Sequence, residues 1–396
     1  MSANSHLPRI ALIGISGYGR IHLQLARECR DRGEAAIVAA TVINPQEEAE
    51  NVAELRARGC AIYGDHEEML RAWGGRIDLC MIPTGINWHA RMTIAALRAG
   101  ANVLVEKPLA GSLADGMAMR AAERESGRFV AVGFQDLYEP GTLWLKEQLR
   151  TGAIGGLQSV RFLGVWPRDR SYFTRNDWAG RTEVNGVPVL DSPLNNAFGH
   201  FVMLSQYFAS PERHAAAAAE LDKVELWRAH DIPSFDTAVV AAHTPQGVNL
   251  WFGVSHACRE TIEPEIAIQG SAGTAFWRYE NESCVVAADG GRQCRPMPDT
   301  GETRRTMMAA VLRRLRDESV AICGVDLAVQ HTRLIETLHR FAPVNEFPPE
   351  AVKWAGGPAG ALPEVTGLAP ALRRAFEQRS TLAGAGFALA LRAPVR

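Results

Sequence analysis

The feature that most constrains this chain is a glycine turn set between an apolar strand and an amphipathic helix. Residues 10–13 form a short apolar run that stops at Gly14-Ile-Ser16-Gly17-Tyr18-Gly19, after which Ile21, Leu23, Leu25 and Ala26 recur among polar residues at helical spacing. A strand that turns this tightly into a helix brings backbone N–H groups and the positive end of the helix dipole to an anion, and a pyrophosphate fits there. Ser16 stands where the middle glycine of such a turn belongs; its side chain takes up room, although its hydroxyl can donate to a phosphate and Gly17 beside it loosens the turn. The same turn also occurs purely for packing, so its meaning depends on what surrounds it.

The surroundings alternate strand and helix. A β-rich run over residues 35–43 stops at Asn44-Pro45 and is followed by a Glu-rich helix over 47–58, a strand at 61–63, a helix at 67–73, a continuous apolar run at 77–82, a helix at 89–99, a strand at 103–105, a helix at 113–125 and a strand at 129–132. Short apolar strands separated by helices predict a parallel, doubly wound α/β sheet, a Rossmann domain over residues 1–134. The acidic residue that such a domain places at the end of its second strand, to hold ribose hydroxyls, is replaced by Asn44, and no arginine follows it to meet a 2′-phosphate, which leaves NAD and NADP both open.

Beyond Asp136 the pattern changes to a helix at 142–151 and then to strands of period two at 157–165, 223–229, 237–243, 248–255 and 265–269, with turn residues such as Pro245-Gln-Gly247 between them. This predicts an α+β domain over 135–345 built on an open, mostly antiparallel sheet. A helix at 325–341 leads into a Pro/Gly/Ala-rich tail holding one more helix at 370–379, read as a C-terminal extension over 346–396. One face of the open sheet is expected to pair with another subunit through strand 248–255, giving a homo-oligomer, a dimer or tetramer.

Composition narrows the partners. Forty-two Lys and Arg against 44 Asp and Glu leave a net charge of −2, so there is no broad attraction for nucleic acid or an anionic membrane. The longest apolar stretches are interrupted well before they could span a bilayer. The seven cysteines, 29, 60, 80, 258, 284, 294 and 323, show neither CxxC nor metal-knuckle spacing and are expected to be reduced thiols. With a polar N-terminus that carries no secretion signal, they point to the cytoplasm.

Further residues carry a resemblance. Pro83-Thr84-Gly-Ile-Asn87-Trp-His89, then Ala96-Leu-Arg-Ala-Gly100 and Val103-Leu-Val-Glu106-Lys107-Pro108, continued by Val132-Gly133-Phe134-Gln135 and Thr151-Gly-Ala-Ile-Gly155, resemble the Gfo/Idh/MocA family of glucose-fructose oxidoreductases and inositol dehydrogenases. The resemblance is diffuse after residue 275 and finds no counterpart beyond 342. It implies a cofactor site formed by Gly14, Ser16, Gly17, Tyr18, Gly19, Asn44, Thr84, Asn87, His89, Glu106, Lys107 and Gln135, with a cis peptide at Lys107-Pro108 and a lysine at the junction of nicotinamide and substrate. A lysine partly desolvated beside the cationic ring has a lowered pKa and can polarise a hydroxyl or pass its proton; the alternative is an ordinary surface lysine. A second signature, an aspartate four residues before a histidine on one face of a helix, falls here on Asn196 and His200. The resemblance makes His200 an acid/base group, against a histidine satisfied in a helix interface, whereas an amide at 196 orients a hydroxyl but takes no proton.

Between these signatures, residues 166–181 are dense in arginine, aromatic and amide groups. Arg168, Tyr172 and Trp178, with Asn195, Asn196 and His200, are the candidate substrate contacts, because aromatic faces stack on sugar rings and arginine forks bind hydroxyls or carboxylates; an interface or a capping loop has the same composition. His89 is assigned to the cofactor-side loop, His22 to packing, and His230, His243 and His256 to strands or their ends, with no metal expected. The expected activity is NAD(P)-dependent hydride exchange with a carbohydrate-like small molecule, a sugar, cyclitol or sugar acid. Two alternatives stand beside it: a tightly bound cofactor used for transient oxidation in elimination or epimerisation, and a cofactor- or sugar-binding sensor without turnover.

Overall fold

Six strands alternate with five helices along the first third of the chain: β1 (Arg9–Ile13), α1 (Gly19–Asp31), β2 (Ala36–Thr41), α2 (Ala49–Ala57), β3 (Ala61–Tyr63), α3 (His66–Trp73), β4 (Leu79–Ile82), α4 (Ile86–Arg98), β5 (Asn102–Val105), α5 (Leu113–Ser126) and β6 (Val130–Val132). The computed structural model describes residues 7–357 and 360–388. Residues 1–6, where the lack of a secretion signal is read, and the parts of the tail at 358–359 and 389–396 lie outside the described residues. The strands pair in parallel in the order β3-β2-β1-β4-β5-β6, so the order reverses at β1 and the crevice at the carboxyl ends of β1 and β4 is the place where such sheets hold ligands. Caps fit the sequence: Asp65 and Ser112 each accept from a backbone N–H in the first turn of α3 and α5, and Gly127 closes α5 in the left-handed conformation.

The second unit carries α6 (Pro140–Arg150), β7 (Leu157–Val165), α7 (Arg170–Thr174), the hairpin β8 (Glu183–Val184) and β9 (Val187–Pro188), α8 (Gly199–Ala209), β10 (Glu220–Arg228), β11 (Thr237–His243), β12 (Asn249–Ser255), β13 (Ile262–Gly270), β14 (Gly273–Arg278), β15 (Glu282–Ala287) and β16 (Arg292–Pro296). After α9 (Thr300–Arg314) and α10 (Val325–Phe341) come β17 (Val344–Glu346), the hairpin β18 (Val352–Ala355) and β19 (Leu362–Val365), and α11 (Leu368–Gln378). Nine strands form one sheet in the order β16-β15-β14-β13-β7-β12-β11-β10-β17, antiparallel except where β7 pairs β12 and β10 pairs β17.

The two compact units divide the chain differently from the expected boundaries. Residues 301–326 belong with 1–135, and 327–396 belong with 136–300. The returning segment joins the Rossmann sheet at its β6 edge, where the Val132 N–H donates to the Cys323 carbonyl at 2.8 Å and Arg120 on α5 pairs with Asp326.

The tail is not a separate extension. Odd positions of β7, Leu163 and Val165, point to one face and join Val239, Trp251, Leu368, Leu372, Phe376 and Leu382 in a single core, while the even position Phe162 meets Phe198 and Phe201 on the other. Burying Leu368, Leu372, Phe376 and Leu382 at ~1.5–3 kcal/mol each gives about 6–12 kcal/mol, the scale of a whole domain's net stability. Polar ties hold the same segment: Arg161 donates to the Phe376 carbonyl at 2.8 Å, the Trp251 indole to Ser380 at 2.9 Å, and the buried Glu225 carboxylate accepts the Leu382 N–H at 2.6 Å. The face on which strand 248–255 was expected to meet another subunit is therefore covered by the chain's own α11, and every residue from Leu250 to Ser255 is buried.

The expectation of seven reduced thiols is corrected as well. Cys284 and Cys294 fall directly opposite each other on β15 and β16 and form a disulfide, while Cys29, Cys60, Cys80, Cys258 and Cys323 are free and buried. No helix among the described residues is long and apolar enough to cross a membrane.

Candidate active site

In the Rossmann unit the turn after β1 has the geometry of a cradle. Gly14 has φ +94° and Gly17 φ +55°, values that side chains rarely adopt, and a Cβ on Gly19 would lie 2.9 Å from the Gly14 carbonyl oxygen. The space at this turn exists because no side chain fills it. No side chain caps the N-terminus of α1, and Tyr18 stands exposed beside it. Thr84, from the end of β4, brings its methyl to 3.7 Å from the position of a Gly14 Cβ, and its hydroxyl is buried without a hydrogen-bond partner. An open glycine turn, an uncapped helix and an orphaned hydroxyl at the switch point fit a dinucleotide.

Ser16 does not point its hydroxyl into open space. It donates to Asn44 Oδ1 at 2.9 Å, and Asn44 donates in turn to Glu47 at 2.6 Å. Asn87 lies in the first turn of α4, half-buried. Arg304, on α9, sets its guanidinium 5.7 Å from the Tyr18 ring and keeps a buried Nε without a hydrogen bond. Sequence reading missed it because it comes almost three hundred residues after the turn, in a helix whose periodicity it did not detect.

At the end of β5 the peptide Lys107-Pro108 is cis. Glu106 is buried and both its oxygens are engaged: Oε1 lies 2.8 Å from His22 Nε2 and Oε2 accepts the Lys107 N–H at 3.0 Å. Gly133, at the end of β6, makes room for that carboxylate, since a Cβ there would approach Glu106 Oε1 to 2.8 Å. Glu106 thus clamps the Lys107 backbone from within, and His22 is the other half of the clamp rather than simple packing. His89 also differs from expectation. It lies within α4, fully buried, with Nδ1 2.8 Å from the Pro108 carbonyl and Nε2 3.1 Å from the Thr84 carbonyl, and burial pushes the ring toward its neutral form. It braces the two loops behind the site. Gln135 is buried, with its Oε1 lacking a hydrogen-bond partner.

In the second unit His200 opens α8, and its Nδ1 lies 2.9 Å from Asp136 Oδ2, an ion-pair distance. Asp136 belongs to the 3-10 turn Gln135–Tyr138 that follows β6. Asn196 sits one turn ahead of the helix, in the loop, where its carbonyl accepts the Gly199 N–H at 3.2 Å. Lys146 on α6 closes the other end of α8, donating to the carbonyls of Tyr207 and of Ser210, the latter at 2.6 Å; burial pushes its ammonium down to about 7. The Asn195 amide donates to the carbonyls of Val189 and Leu190 at 3.0 Å each, while its Oδ1 is buried without a hydrogen-bond partner.

Two arginines of residues 166–181 stack on aromatics of the same loop. Arg168 lies 4.9 Å over Tyr172, and Arg175 lies 3.6 Å over Tyr172 and 5.2 Å over Trp178. Arg170 lies over Trp354 of β18, so the tail hairpin backs this loop. Arg168 retains a buried Nε with no hydrogen bond. His256, pushed down to about 3 by burial, stacks on Phe198 and donates to the Trp166 carbonyl at 2.7 Å; His230 pairs with Asp236 at 2.8 Å. Among the described residues, one group of three potential metal ligands comes together, Glu282 with Cys284 and Cys294, and those two sulfurs are bonded to each other.

Comparison with known proteins agrees with this architecture. Residues 9–134 match the family model described as oxidoreductase family, NAD-binding Rossmann fold. An inositol 2-dehydrogenase/D-chiro-inositol 3-dehydrogenase of Shouchella clausii is 27% identical over 268 residues, 67% of this chain and 70% of that protein. Its namesake in Halalkalibacterium halodurans is 32% identical over 253 residues, 63% of this chain and 66% of that protein. The WlbA dehydrogenase from Bordetella pertussis, solved in complex with NADH and UDP-GlcNAcA, superposes with a TM-score of 0.68 at 22% identity, covering 85% of this chain and 96% of that one, and so shares the fold.

Proposed function

The chain belongs to the Gfo/Idh/MocA oxidoreductase family, and from that premise we propose that it exchanges hydride between NAD or NADP and a CH–OH carbon of a sugar, cyclitol or sugar acid, with Lys107 and His200 handling the proton. The observation that carries this reading is the clamp at the end of β5. Glu106 is held by His22 and itself holds the Lys107 backbone, which fixes a lysine at the carboxyl edge of a sheet whose glycine turn stands open. A bound dinucleotide supplies the hydride acceptor or donor. In the oxidation direction the carbon gives up a hydride and its hydroxyl gives up a proton to Lys107 or His200, leaving a carbonyl; reduction is the reverse. The names of the inositol dehydrogenase relatives support a polyhydroxylated ring as substrate, and the aromatic and arginine content around Arg168 suits one. The disulfide weakens the thiol argument for a cytoplasmic location, and a homo-oligomer has to use a surface other than the covered sheet face.

The test is turnover of cyclitols, hexoses and uronates with NAD and NADP by Lys107→Met and His200→Asn, after dinucleotide binding has been confirmed in each. Each variant is expected to bind dinucleotide normally and to lose about a hundredfold or more in kcat. Near-native turnover in both overturns the assignment.

A further inference from the structure

Beside the glycine turn, Arg20 is already neutralised: its guanidinium donates to the buried Glu48 carboxylate at 2.8 and 3.1 Å. A second guanidinium at the turn has no such counter-charge. Arg304, from α9, lies 5.7 Å over the Tyr18 ring, its Nε is buried without a hydrogen bond, and it forms no ion pair among the described residues. We infer that Arg304 is a cofactor contact, supplying the positive charge that meets the pyrophosphate of a dinucleotide lying in the Gly14–Gly19 turn. The inference rests on the reading of that turn as the dinucleotide site and adds to it a residue from a distant helix.

Residues 301–326 belong to the same compact unit as the turn, so the Arg304–Tyr18 contact lies within one body. On α9, Arg304 shares a face with Met307 and Met308, and both methionines are buried. Glu302 and Ala309 are exposed, and the neighbouring Arg305 pairs with Glu302 at 2.9 Å. A guanidinium on the packed face of a helix gives up part of its hydration, a cost that hydrogen bonds or a counter-charge offset. Arg305 has that compensation, whereas Arg304 has the face of one ring, a weaker partner for a full charge than a carboxylate.

The contact also has a direction. The Tyr18 and His22 rings have their centroids 6.1 Å apart, His22 holds Glu106, and Glu106 holds the Lys107 N–H. Asn44 and Glu47 follow β2, which lies on the opposite side of β1 from β5. Arg304 therefore reaches the turn from the Lys107 side. The N–H groups at the start of α1 offer an anion only partial charges, and a guanidinium adds a full charge with paired donors matched to phosphate oxygens. No covalent bond changes at this residue; its contribution is to affinity.

The experiment is titration of NADH into full-length native protein, Arg304→Met and Arg304→Gln at about 50 mM and about 500 mM sodium chloride, with ADP-ribose and adenosine measured by displacement. Both variants are expected to lose about tenfold or more in affinity for NADH and ADP-ribose at low salt, to keep native affinity for adenosine, and to show a flatter salt dependence. Arg304→Gln keeps a polar head without the charge and carries the same test if thermal melts show Arg304→Met to be unstable. NADH affinity within about twofold of native in a folded variant overturns the inference. So does an equal loss for ADP-ribose and adenosine with native salt dependence, which makes Arg304 a structural support of the turn. Intact NADH affinity with a raised KM for a uronate and an unchanged one for a neutral cyclitol assigns the guanidinium to a substrate carboxylate and overturns it as well. If Gly19→Ala loses NADH affinity while both Arg304 variants keep it, only this inference fails; if native protein binds no dinucleotide, the reading of the turn falls with it.

Discussion

Replacing Gly19 by alanine adds one methyl group at the point where the glycine turn is narrowest. Its Cβ would lie 2.9 Å from the Gly14 carbonyl oxygen, 3.1 Å from the carbonyl carbon and 3.6 Å from Pro83 Cγ. Two of these neighbours are backbone and cannot swing aside. Gly14 is held from behind, its N–H donating to the Thr41 carbonyl at 3.0 Å, and Gly19 is held in front by its own N–H to Ser16 at 2.8 Å, so relief has to come from moving the turn as a whole. Overpacking of this kind costs about 1–3 kcal/mol. If the strain is expressed when the turn closes on a pyrophosphate, dinucleotide affinity falls about 5- to 150-fold. Gly33→Ala is the control, because that residue ends the same helix at φ +71° with nothing within 4 Å of a Cβ; it should lose about 1 kcal/mol of stability and no affinity. Titration of NADH by calorimetry, with thermal melts of both variants, separates the two. NADH affinity within twofold of native in Gly19→Ala would refute the argument and make the turn a packing device.

Asn44→Asp is expected to shift preference toward NAD, because a carboxylate accepts ribose hydroxyls and repels a 2′-phosphate; the ratio of NADH to NADPH dissociation constants checks this, and an unchanged ratio means the ribose is held elsewhere. The new charge also faces Glu47, to which Asn44 now donates at 2.6 Å, so a small loss of stability accompanies it. For Lys146 the sign follows from linkage. Its folded pKa, about 7, lies below the unfolded value of 10.5, so between these the unfolded chain binds the extra proton and stability rises with pH across that window. Denaturant unfolding at pH 7 and pH 9.5 should show that rise in the native protein and its loss in Lys146→Met; an equal rise in the variant removes Lys146 as its source.

The Rossmann half was legible because its signals are local. Strand, turn and helix follow one another within about twenty residues around Gly14–Gly19, and Glu106-Lys107-Pro108 sits at a strand end that apolar content alone identifies. The contacts around Lys107 and His200 are not local. His22 meets Glu106 across 84 positions, and the Asp136–His200 pair joins a turn to a helix on the far side of a strand; neither leaves a periodic trace. Asn196 drew attention because a motif has a place for it, whereas Asp136, beside the expected Gln135, has none. The Cys284–Cys294 pairing needed strand register, which depends on the Asp289-Gly290-Gly291 turn between β15 and the edge strand β16. The tail looked like an extension because its Pro/Gly/Ala content is that of a linker, and the complementary apolar row that claims it lies on strands read as an interface.

That tail has a consequence for how the chain is made. The row formed by Leu163, Val165, Val239 and Trp251 is synthesised long before α11, and the tie from Arg161 to Phe376 spans 215 positions. Throughout that interval the nascent sheet carries an apolar surface with no cover of its own, the kind of surface that associates with neighbours or recruits a chaperone. Completion of this unit therefore waits on the emergence of α11 from the ribosome. A premature stop anywhere before Leu368 yields a nucleotide-binding unit joined to an unfinished, sticky sheet, so loss of α11 reads out as insolubility rather than as a slower enzyme.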